Sequence, residues 1–411
     1  MRDRSTPAEL LAALVLGGDA RARAAASDIT KDHLWDSEIR LALRWHVLPQ
    51  LRSRIASLEA EIDNAARSLL NEISATTTAQ SALIAHATAR ALAGLEDAGI
   101  RVAAFKGLGM IASLYQRPSE RMLNDADVLI EARDFRKAVP VLARMGFFPD
   151  VSIPLDEWLD LLEQRVYPVH DFLDFADANG SKIDLHWRLR TPSPSGFPIA
   201  EIIGRAESRI FSGIGVRAVA PEDAILFTMH HMVRDRLAPR SAVKDLLDLK
   251  AWLEVRERRW KSNVLLNRAR STGLTTSLLA ALKILSRFDP EGAATEFASE
   301  LADVSAADEK TRAGRLADVF SLQLSRGPMS DVVIGLTALT PSLARRFIVS
   351  RLRSFTDPTY KANKFAGDSA VPLGVAAREV WRDLIRLTPR SFALYRTLGT
   401  ETRAYLGEES R

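Results

Sequence analysis

The sequence has no cysteine among its 411 residues, and aromatic residues make up only 7% of the chain. Without cysteine the protein forms neither disulfide bonds nor thiolate metal sites, which is compatible with a reducing compartment. No apolar run approaches the roughly 20 residues that a membrane helix needs. The short run from Leu10 to Leu16 follows acidic and polar residues and lacks a small-residue cleavage site. These absences predict a soluble, cytoplasmic protein without a membrane partner.

A strong charge of one sign is also missing. Lys and Arg number 56 and Asp and Glu number 52, so the formal net charge is only +4. Duplex DNA needs a concentrated basic surface, and we therefore expect no duplex DNA partner, although a local basic cleft could still hold a triphosphate. The 47% of hydrophobic residues is enough for a sizeable core, and the length predicts two or three domains.

The pattern of apolar residues divides the chain into three regions. Residues 1–98 have helical periodicity, residues 99–215 mix strands with helices, and residues 216–411 are helical again. The predicted fold class is α+β, a small mixed β-sheet of about four strands flanked by N-terminal and C-terminal helical regions. The Asn179-Gly180 dipeptide predicts a hairpin turn between the last two strands. Strands are predicted at residues 100–105, 125–130, 171–176 and 182–187, and helices of the central region at 107–115 and 134–144.

Two carboxylates lie in a stretch that otherwise reads as a core strand. Asp125 and Asp127 are two residues apart, so on a strand both side chains leave the same face. Adjacent like charges in a half-buried strand are tolerated mainly when a cation or a shared proton neutralises them. By itself such a pair is more often a solvated edge than a metal site. We interpret it as a metal site because of its neighbours.

A turn before this pair has the composition of a phosphate-binding loop. Lys106, Gly107 and Gly109 follow a predicted strand and begin a predicted helix, where free backbone N–H groups and the helix dipole suit phosphate oxygens. The two glycines could instead merely end the strand.

A third carboxylate, Asp184, lies on the strand after the predicted hairpin turn, with His186 on the same face. His186 is interpreted either as a phosphate or metal contact or as a packed, hydrogen-bonded residue, and packing is favoured. Three acids that converge favour Mg²⁺, or Mn²⁺, with oxygen ligands and substrate phosphates. Two such ions could organise in-line displacement at the α-phosphorus of a triphosphate.

These residues resemble the bacterial nucleotidyltransferase-like family of the DNA polymerase β superfamily. The resemblance covers roughly residues 30–255. It rests on Phe105-Lys106-Gly107, on Arg121 with Asp125-Ala126-Asp127-Val128-Leu129, and on Ile183-Asp184-Leu185-His186-Trp187. Arg44-Trp45-His46-Val47-Leu48-Pro49 looks like the helical lead-in of the same family, and His231 and Asp248 look like its helical follow-on.

The resemblance implies a nucleotidyltransferase core in which Asp125 and Asp127 bind the catalytic metals. It implies that Asp184 is the third ligand, near the acceptor and the nearest candidate for a general base. The superfamily usually has Gly-Ser or Gly-Gly at the phosphate-binding turn, whereas this chain has Lys106-Gly107.

Two further charged residues have open interpretations. Arg121 either binds a phosphate or forms a surface ion pair with Glu120 or Asp125. Asp248, with Lys244, either lines the nucleotide pocket or belongs to an exposed helix face.

The predicted function is metal-dependent transfer of a nucleoside monophosphate from an NTP, with ATP as the default, to an acceptor, with release of pyrophosphate. The acceptor is a peptide, a small molecule, a protein or an RNA. One alternative is a catalytically silent nucleotide-binding module. A glycosyltransferase, which also uses Asp-x-Asp, is disfavoured because a helical region and not a βαβ unit comes first.

Overall fold

In this computed structural model, the described residues are 5–115, 117–149, 154, 156–157, 160, 172–189, 197–234, 237–255 and 260–326. Nearly all of them belong to one compact unit, which consists of Met1–Phe148 and Phe172–Gly327. A second unit, Pro149–Asp171 with Pro328–Arg411, lies mostly outside the described residues. The part of the predicted C-terminal helical region beyond residue 326 therefore lies outside them too.

The N-terminal region is helical, as its periodicity predicted. Helix α1 begins with a capping box in which the Thr6 hydroxyl accepts from the Glu9 N–H and the Glu9 carboxylate accepts from the Thr6 N–H. Asp63 caps the long fifth helix by accepting from the Ala66 N–H at 2.8 Å. The helices are α1 (Pro7–Leu16), α2 (Asp19–Lys31), α3 (Trp35–Arg44), α4 (Leu48–Ser57) and α5 (Asn64–Asp97).

A mixed sheet forms the centre of the unit. Its strands are β1 (Val102–Phe105), β2 (Ala126–Ile130), β3 (Phe148–Pro149), β4 (Phe172–Ala176), β5 (Lys182–His186), β6 (Glu207–Phe211) and β7 (Ile214–Ala218). Their order is β3-β4-β5-β2-β1-β7-β6. Strand β2 is parallel to β5 and antiparallel to β1, and β1 is parallel to β7. The α+β class with a mixed sheet is confirmed.

The described sheet has seven strands, more than the four or so that the sequence predicted. The missed hairpin is β6–β7, whose turn residues Ser212 and Gly213 both have positive φ, 49° and 80°. A Ser-Gly dipeptide is a turn signal and β7 alternates, but β6 begins with three polar residues, Glu207-Ser208-Arg209, and does not alternate. The hairpin at Asn179-Gly180 is confirmed, with Gly180 at φ 80° and the Asp177 carboxylate accepting from the Ser181 N–H.

The predicted helix at 107–115 is two segments. Helix α6 (Lys106–Met110) is followed at once by a π-helical turn, Ile111–Tyr115. Helix α7 (Phe135–Arg144) has its N-cap at Asp134 as predicted, although that side chain makes no capping hydrogen bond. Helix α5 packs against β1, β2, β5 and β7, and α6 packs against β1, β2 and β7.

The remaining helices follow the sheet. Helix α9 begins at Pro221-Glu222-Asp223, as the sequence predicted. Among the described residues, no helix combines the length and the apolar character needed to cross a bilayer. The helices are α8 (Ile199–Gly204), α9 (Pro221–Arg234), α10 (Pro239–Glu254), α11 (Ser262–Thr272), α12 (Thr275–Phe288), α13 (Ala293–Asp303) and α14 (Ala307–Arg326).

Candidate active site

Two carboxylates meet where β2 and β5 run parallel. The pairing register places Asp127 directly beside Asp184, so their side chains leave the same face of the sheet. His186, two residues along β5, shares that face. One ligand atom from each of the three residues lies within 4.8 Å of the other two. The sheet thus gathers a compact set of potential metal ligands from segments nearly sixty residues apart.

Lys106 supplies a positive charge to this set. Its Nζ lies 2.8 Å from Asp127 Oδ1, and His186 Nε2 lies 3.1 Å from the same oxygen. Burial by itself raises the pKa of Asp127. The charges and hydrogen bonds of Lys106 and His186 lower it by more, so the pKa of Asp127 lies well below the usual range of an aspartate. Lys106, predicted as a phosphate contact, is therefore bonded to a carboxylate in this structure.

Lys106 also has an unusual backbone. Its φ is 47°, in the left-handed region that a non-glycine residue rarely adopts. This residue lies where β1 ends and α6 begins, and its ammonium group donates to Asp127. Strain of this kind persists only where the surrounding structure enforces it, and it is frequent at functional sites.

Asp184 is half-buried and lies among other acids. Burial, followed by the charges of Asp127, Asp174 and Asp125, raises the pKa of Asp184 to about 8, and Lys106 opposes this only in part. The carboxyl of Asp184 consequently holds a proton at neutral pH when no cation lies beside it.

Asp174 is an acidic residue that the sequence reasoning missed. It lies on β4 directly opposite Asp184, so Asp127, Asp184 and Asp174 form a row across three neighbouring strands. Counting outward from a two-residue turn at Asn179-Gly180 pairs residue 175 with residue 184. The loop in the structure has three residues, because the Asp177 N–H bonds the Ser181 carbonyl, and this shift brings Asp174 opposite Asp184.

Asp125 has a different position from the one predicted. Strand β2 begins at Ala126, so Asp125 precedes the strand and is exposed, whereas Asp127 is buried within it. The carboxylate of Asp125 is not among the three described residues whose ligand atoms meet within 4.8 Å. Its charge nevertheless contributes to the raised pKa of Asp184, which places it within electrostatic reach of the site.

His186 is packed as well as hydrogen-bonded. Its ring stacks on Phe172 at 4.7 Å between centroids and meets Phe105 edge-on at 5.0 Å. The buried ring is thereby held with Nε2 against Asp127. The sequence favoured packing over ligation, and in the structure the packing orients the hydrogen bond.

Arg121 and Asp248 are bonded to each other. The predicted partners of Arg121 were Glu120 or Asp125, but its guanidinium donates to both oxygens of Asp248, at 2.9 and 2.8 Å. The Tyr115 hydroxyl donates to the same carboxylate at 2.7 Å. Both charged side chains are almost fully buried, so neither the exposed helix face proposed for Asp248 nor a surface ion pair of Arg121 is correct. Sequence patterns carry no signal for a pair 127 residues apart.

Gly107 and Gly109 are buried by the protein itself. A Cβ on Gly107 would lie 2.2 Å from the Leu123 side chain and 3.2 Å from the Asp125 carbonyl oxygen. A Cβ on Gly109 would lie 2.7 Å from the Ala104 carbonyl oxygen. Both glycines therefore allow α6 to approach β1 and the segment before β2 closely.

The carboxylate oxygens of this site are the kind of ligand that a hard cation such as Mg²⁺ prefers. Asp127 and Asp184 offer carboxylates, and exposed Asp125 lies two residues from Asp127. His186 Nε2 already bonds Asp127 Oδ1, the arrangement expected of a group that orients a ligating carboxylate. Burial and, after it, repulsion from the neighbouring acids raise the pKa of Asp184, and a divalent cation would relieve the repulsion.

Comparison with known proteins places this site in context. No curated protein matches the chain. The chain is similar to the solution structure of the antibiotic-resistance factor ANT(2'')-Ia, with a TM-score of 0.32 and 17% identity. That alignment covers 48% of this chain and 96% of the other. A TM-score this low does not establish a shared fold. A family model described as "Uncharacterised nucleotidyltransferase" matches residues 31–288, which is more than half of the chain and includes every residue of the site. The chain therefore belongs to this nucleotidyltransferase family.

Proposed function

We propose that the protein transfers a nucleoside monophosphate from an NTP to an acceptor hydroxyl, with release of pyrophosphate and with Mg²⁺ or Mn²⁺ as cofactor. The observation that carries the proposal is the meeting of Asp127, Asp184 and His186 within 4.8 Å, beside Lys106, in a chain of a nucleotidyltransferase family. Two acids held so closely favour a divalent cation between them.

We assign the metal ligands to carboxylate oxygens. Asp127 and Asp184 would hold the cation from the sheet, and Asp125 would reach it from its exposed position before β2. A bound cation would polarise the phosphoryl oxygens and neutralise charge on the departing pyrophosphate. His186 keeps the carboxylate of Asp127 oriented through its hydrogen bond.

The chain's own residues supply the remaining chemistry. Asp184, which a bound cation would keep ionised in spite of its raised pKa, would accept the proton of the acceptor hydroxyl. The acceptor oxygen forms a bond to the α-phosphorus as the bond to the β-phosphate oxygen breaks. Lys106 holds positive charge where negative charge develops on the phosphoryl oxygens. Arg121, Asp248, Gly107 and Gly109 support the turn that carries Lys106.

The donor and the acceptor are proposed by class. ATP is the default donor, the acceptor is a peptide, a small molecule, a protein or an RNA, and the reaction takes place in the cytoplasm. Residues 99–215 are proposed as the catalytic core, with the helical regions 1–98 and 216–411 on either side of it.

An Asp125→Asn variant tests this function. Asp125 is exposed and forms no ion pair among the described residues, so its replacement should leave the fold intact. The wild type and the variant are incubated with each α-labelled NTP, with Mg²⁺ or Mn²⁺, and with host-cell extract. We expect label transfer and pyrophosphate release by the wild type, and a loss of about 100-fold in the variant because a charge at the reacting phosphate is gone.

Asp36→Asn is the matched control. Asp36 is an exposed aspartate on α3 that pairs with Arg40, and its replacement should leave transfer unchanged. If the wild type releases no pyrophosphate and transfers no label with any of the four nucleotides, the transferase assignment is wrong. Retention of labelled NTP without transfer would identify the silent nucleotide-binding module instead.

A further inference from the structure

The two edges of the central sheet differ in how well they are protected against pairing with another strand. At one edge β3 has only two residues, Phe148–Pro149, and a proline has no N–H to donate. At the other edge β6 has five residues, Glu207–Phe211, without a proline. Strand β6 therefore offers the longer row of backbone groups to a further strand.

The register of the β6–β7 hairpin decides which backbone groups face the open edge. Phe211 pairs with Ile214 across the two-residue loop, and residues next to such a loop exchange hydrogen bonds. Because bonded pairs alternate along an antiparallel ladder, the N–H and C=O groups of Ser208 and Ile210 point away from β7. Among the described residues, no hydrogen bond outside the ladder reaches the backbone of either residue.

The side chains of these two residues are also open to solvent. Ser208 is exposed, and Ile210 exposes 74% of its surface although it is a large apolar residue. A single exposed apolar side chain is common on protein surfaces and by itself indicates no partner. The edge is thus accessible, and the charges of the strand decide what can pair with it.

The charges of β6 are arranged to match a second copy of the same strand. Glu207 and Arg209 flank Ser208 on one face of the sheet and are bonded to each other. When two copies of β6 pair antiparallel about a two-fold axis at Ser208, Glu207 of each copy lies directly opposite Arg209 of the other. A row of like charges at this edge would repel a second copy, whereas this order attracts it.

Two neighbouring registers use the same outward backbone groups but are less favourable. An axis at Arg209 sets the two arginines opposite each other, and like charges directly opposite destabilise a sheet. An axis at Ile210 sets Ser208 opposite Ser212, which lies in the turn with a φ of 49° and does not continue the strand. Of the three registers, the one with its axis at Ser208 is favoured by both charge and backbone geometry.

We propose that β6 is the contact surface of a homodimer, in which two copies of β6 pair antiparallel with Ser208 opposite Ser208 and the two sheets become continuous. Reciprocal N–H to C=O bonds between the serines and two Glu207–Arg209 ion pairs hold the contact. One short strand from each copy forms a small interface, so we expect dissociation in the micromolar range. The dimer does not depend on nucleotidyl transfer, because Asp127, Asp184 and Lys106 lie on other elements.

Charge reversal on β6 tests the dimer. Sedimentation velocity of the full-length wild type from about 1 to about 200 µM should show a shift from monomer to dimer. Glu207→Arg and Arg209→Glu should each weaken association by about tenfold, because each turns both attractive pairs into repulsive ones. The double variant that exchanges the two charges should dimerise like the wild type. Mixing the two single variants should also restore a dimer, because each then opposes charges of the other sign.

Glu72→Arg and Arg90→Glu are the matched controls, since they make the same charge changes at exposed positions of α5. Both should dimerise like the wild type. A wild type that stays monomeric throughout this concentration range overturns the proposal, and so do single variants of β6 that dimerise as well as the wild type. Failure of both the double variant and the mixture to form dimers also overturns it.

The absence of cysteine allows a second test that leaves the charges of β6 intact. In the proposed register the two Ser208 Cα atoms lie about 5.5 Å apart, within reach of a disulfide, whereas the two Ile210 Cα atoms lie about 14 Å apart. Mild oxidation should therefore cross-link Ser208→Cys into a covalent dimer and leave Ile210→Cys monomeric on a non-reducing gel. Cross-linking of Ile210→Cys, or of neither variant, would overturn the proposal.

Discussion

At the residue scale, Glu38 is the buried acid with the most evident effect on stability. It lies in α3 with no exposed surface, and neither of its carboxylate oxygens has a hydrogen-bond partner among the described residues. Burial raises the pKa of Glu38 from 4.5 to about 8. The folded protein therefore holds this carboxyl protonated at pH 7, while the unfolded chain ionises it.

The sign of the resulting pH dependence follows from linkage. The contribution of Glu38 to stability is fully present below pH 4.5 and is lost as the pH rises towards 8, because the folded pKa is the higher one. Between pH 5.5 and 7.5 we expect the wild type to lose about 2–3 kcal/mol of unfolding free energy relative to Glu38→Gln. Urea denaturation at the two pH values measures this difference.

Glu72→Gln is the control for that comparison, because Glu72 is exposed on α5. Its stability should follow that of the wild type at both pH values. A difference between wild type and Glu38→Gln that is the same at pH 5.5 and pH 7.5 would show that Glu38 is ionised in the folded protein.

At the element scale, the contact between α6 and β1 depends on the absence of a side chain at Gly109. A Cβ there would lie 2.7 Å from the Ala104 carbonyl oxygen, and a backbone atom cannot move aside as a flexible side chain can. Gly109→Ala should therefore push α6 away from β1 and displace Lys106, three residues earlier, from Asp127. We expect a destabilisation of about 1–3 kcal/mol, as for other overpacked sites, together with reduced nucleotidyl transfer.

Gly204→Ala is the matched substitution for this test. Gly204 ends α8, and a Cβ there would meet no atom within 4 Å. Thermal unfolding of the two variants should separate them clearly, with Gly204→Ala at or above the wild type. Equal stability of both variants would mean that the α6–β1 contact adjusts without strain.

At the scale of the whole molecule, the Arg121–Asp248 pair joins the sheet region to helix α10. Tyr115 donates to the same carboxylate, so three side chains from separate segments share one buried charge network. Burial lowers the pKa of Arg121, but the neighbouring Asp248 and Tyr115 raise it by more. The pKa of Arg121 therefore lies above the usual value of an arginine. Arg121 thus stays charged at any pH at which the protein is folded.

Asp248→Asn should consequently destabilise the protein by about 3–5 kcal/mol, because it leaves the guanidinium of Arg121 buried without a counter-charge. Asp36→Asn, which removes one partner of the exposed Arg40 pair, should change stability by less than about 1 kcal/mol. Chemical denaturation of both variants makes the comparison. A loss for Asp248→Asn as small as that for Asp36→Asn would show that Arg121 reaches solvent.

Much of the fold could be predicted from the sequence, because helices and strands are encoded by local periodicity. The helical character of residues 1–98, the strands β1, β2, β4 and β5, and the turn at Asn179-Gly180 were predicted, and the strand boundaries are shifted by at most two residues. The helical face predicted through Leu58 and Ile62 was wrong, because α4 ends at Ser57 and α5 begins only at Asn64. The hairpin β6–β7 was missed because β6, which begins with Glu207-Ser208-Arg209, lacks alternation, although β7 has it. Asp174 was missed because a two-residue turn at Asn179-Gly180 would pair residue 175 with Asp184, whereas the three-residue loop of the structure pairs Asp174 with it.

The sequence by itself determined which residue types are available for chemistry: a Lys-Gly turn, an Asp-x-Asp pair and an Asp-x-His strand in a fixed order. Only the tertiary structure decided how they combine. It placed Lys106 and His186 on Asp127, left Asp125 exposed, and bonded Arg121 to Asp248. The physical reason is that periodicity is a property of neighbouring residues, whereas ion pairs and carboxylate clusters depend on strand register and helix packing between segments far apart in the chain.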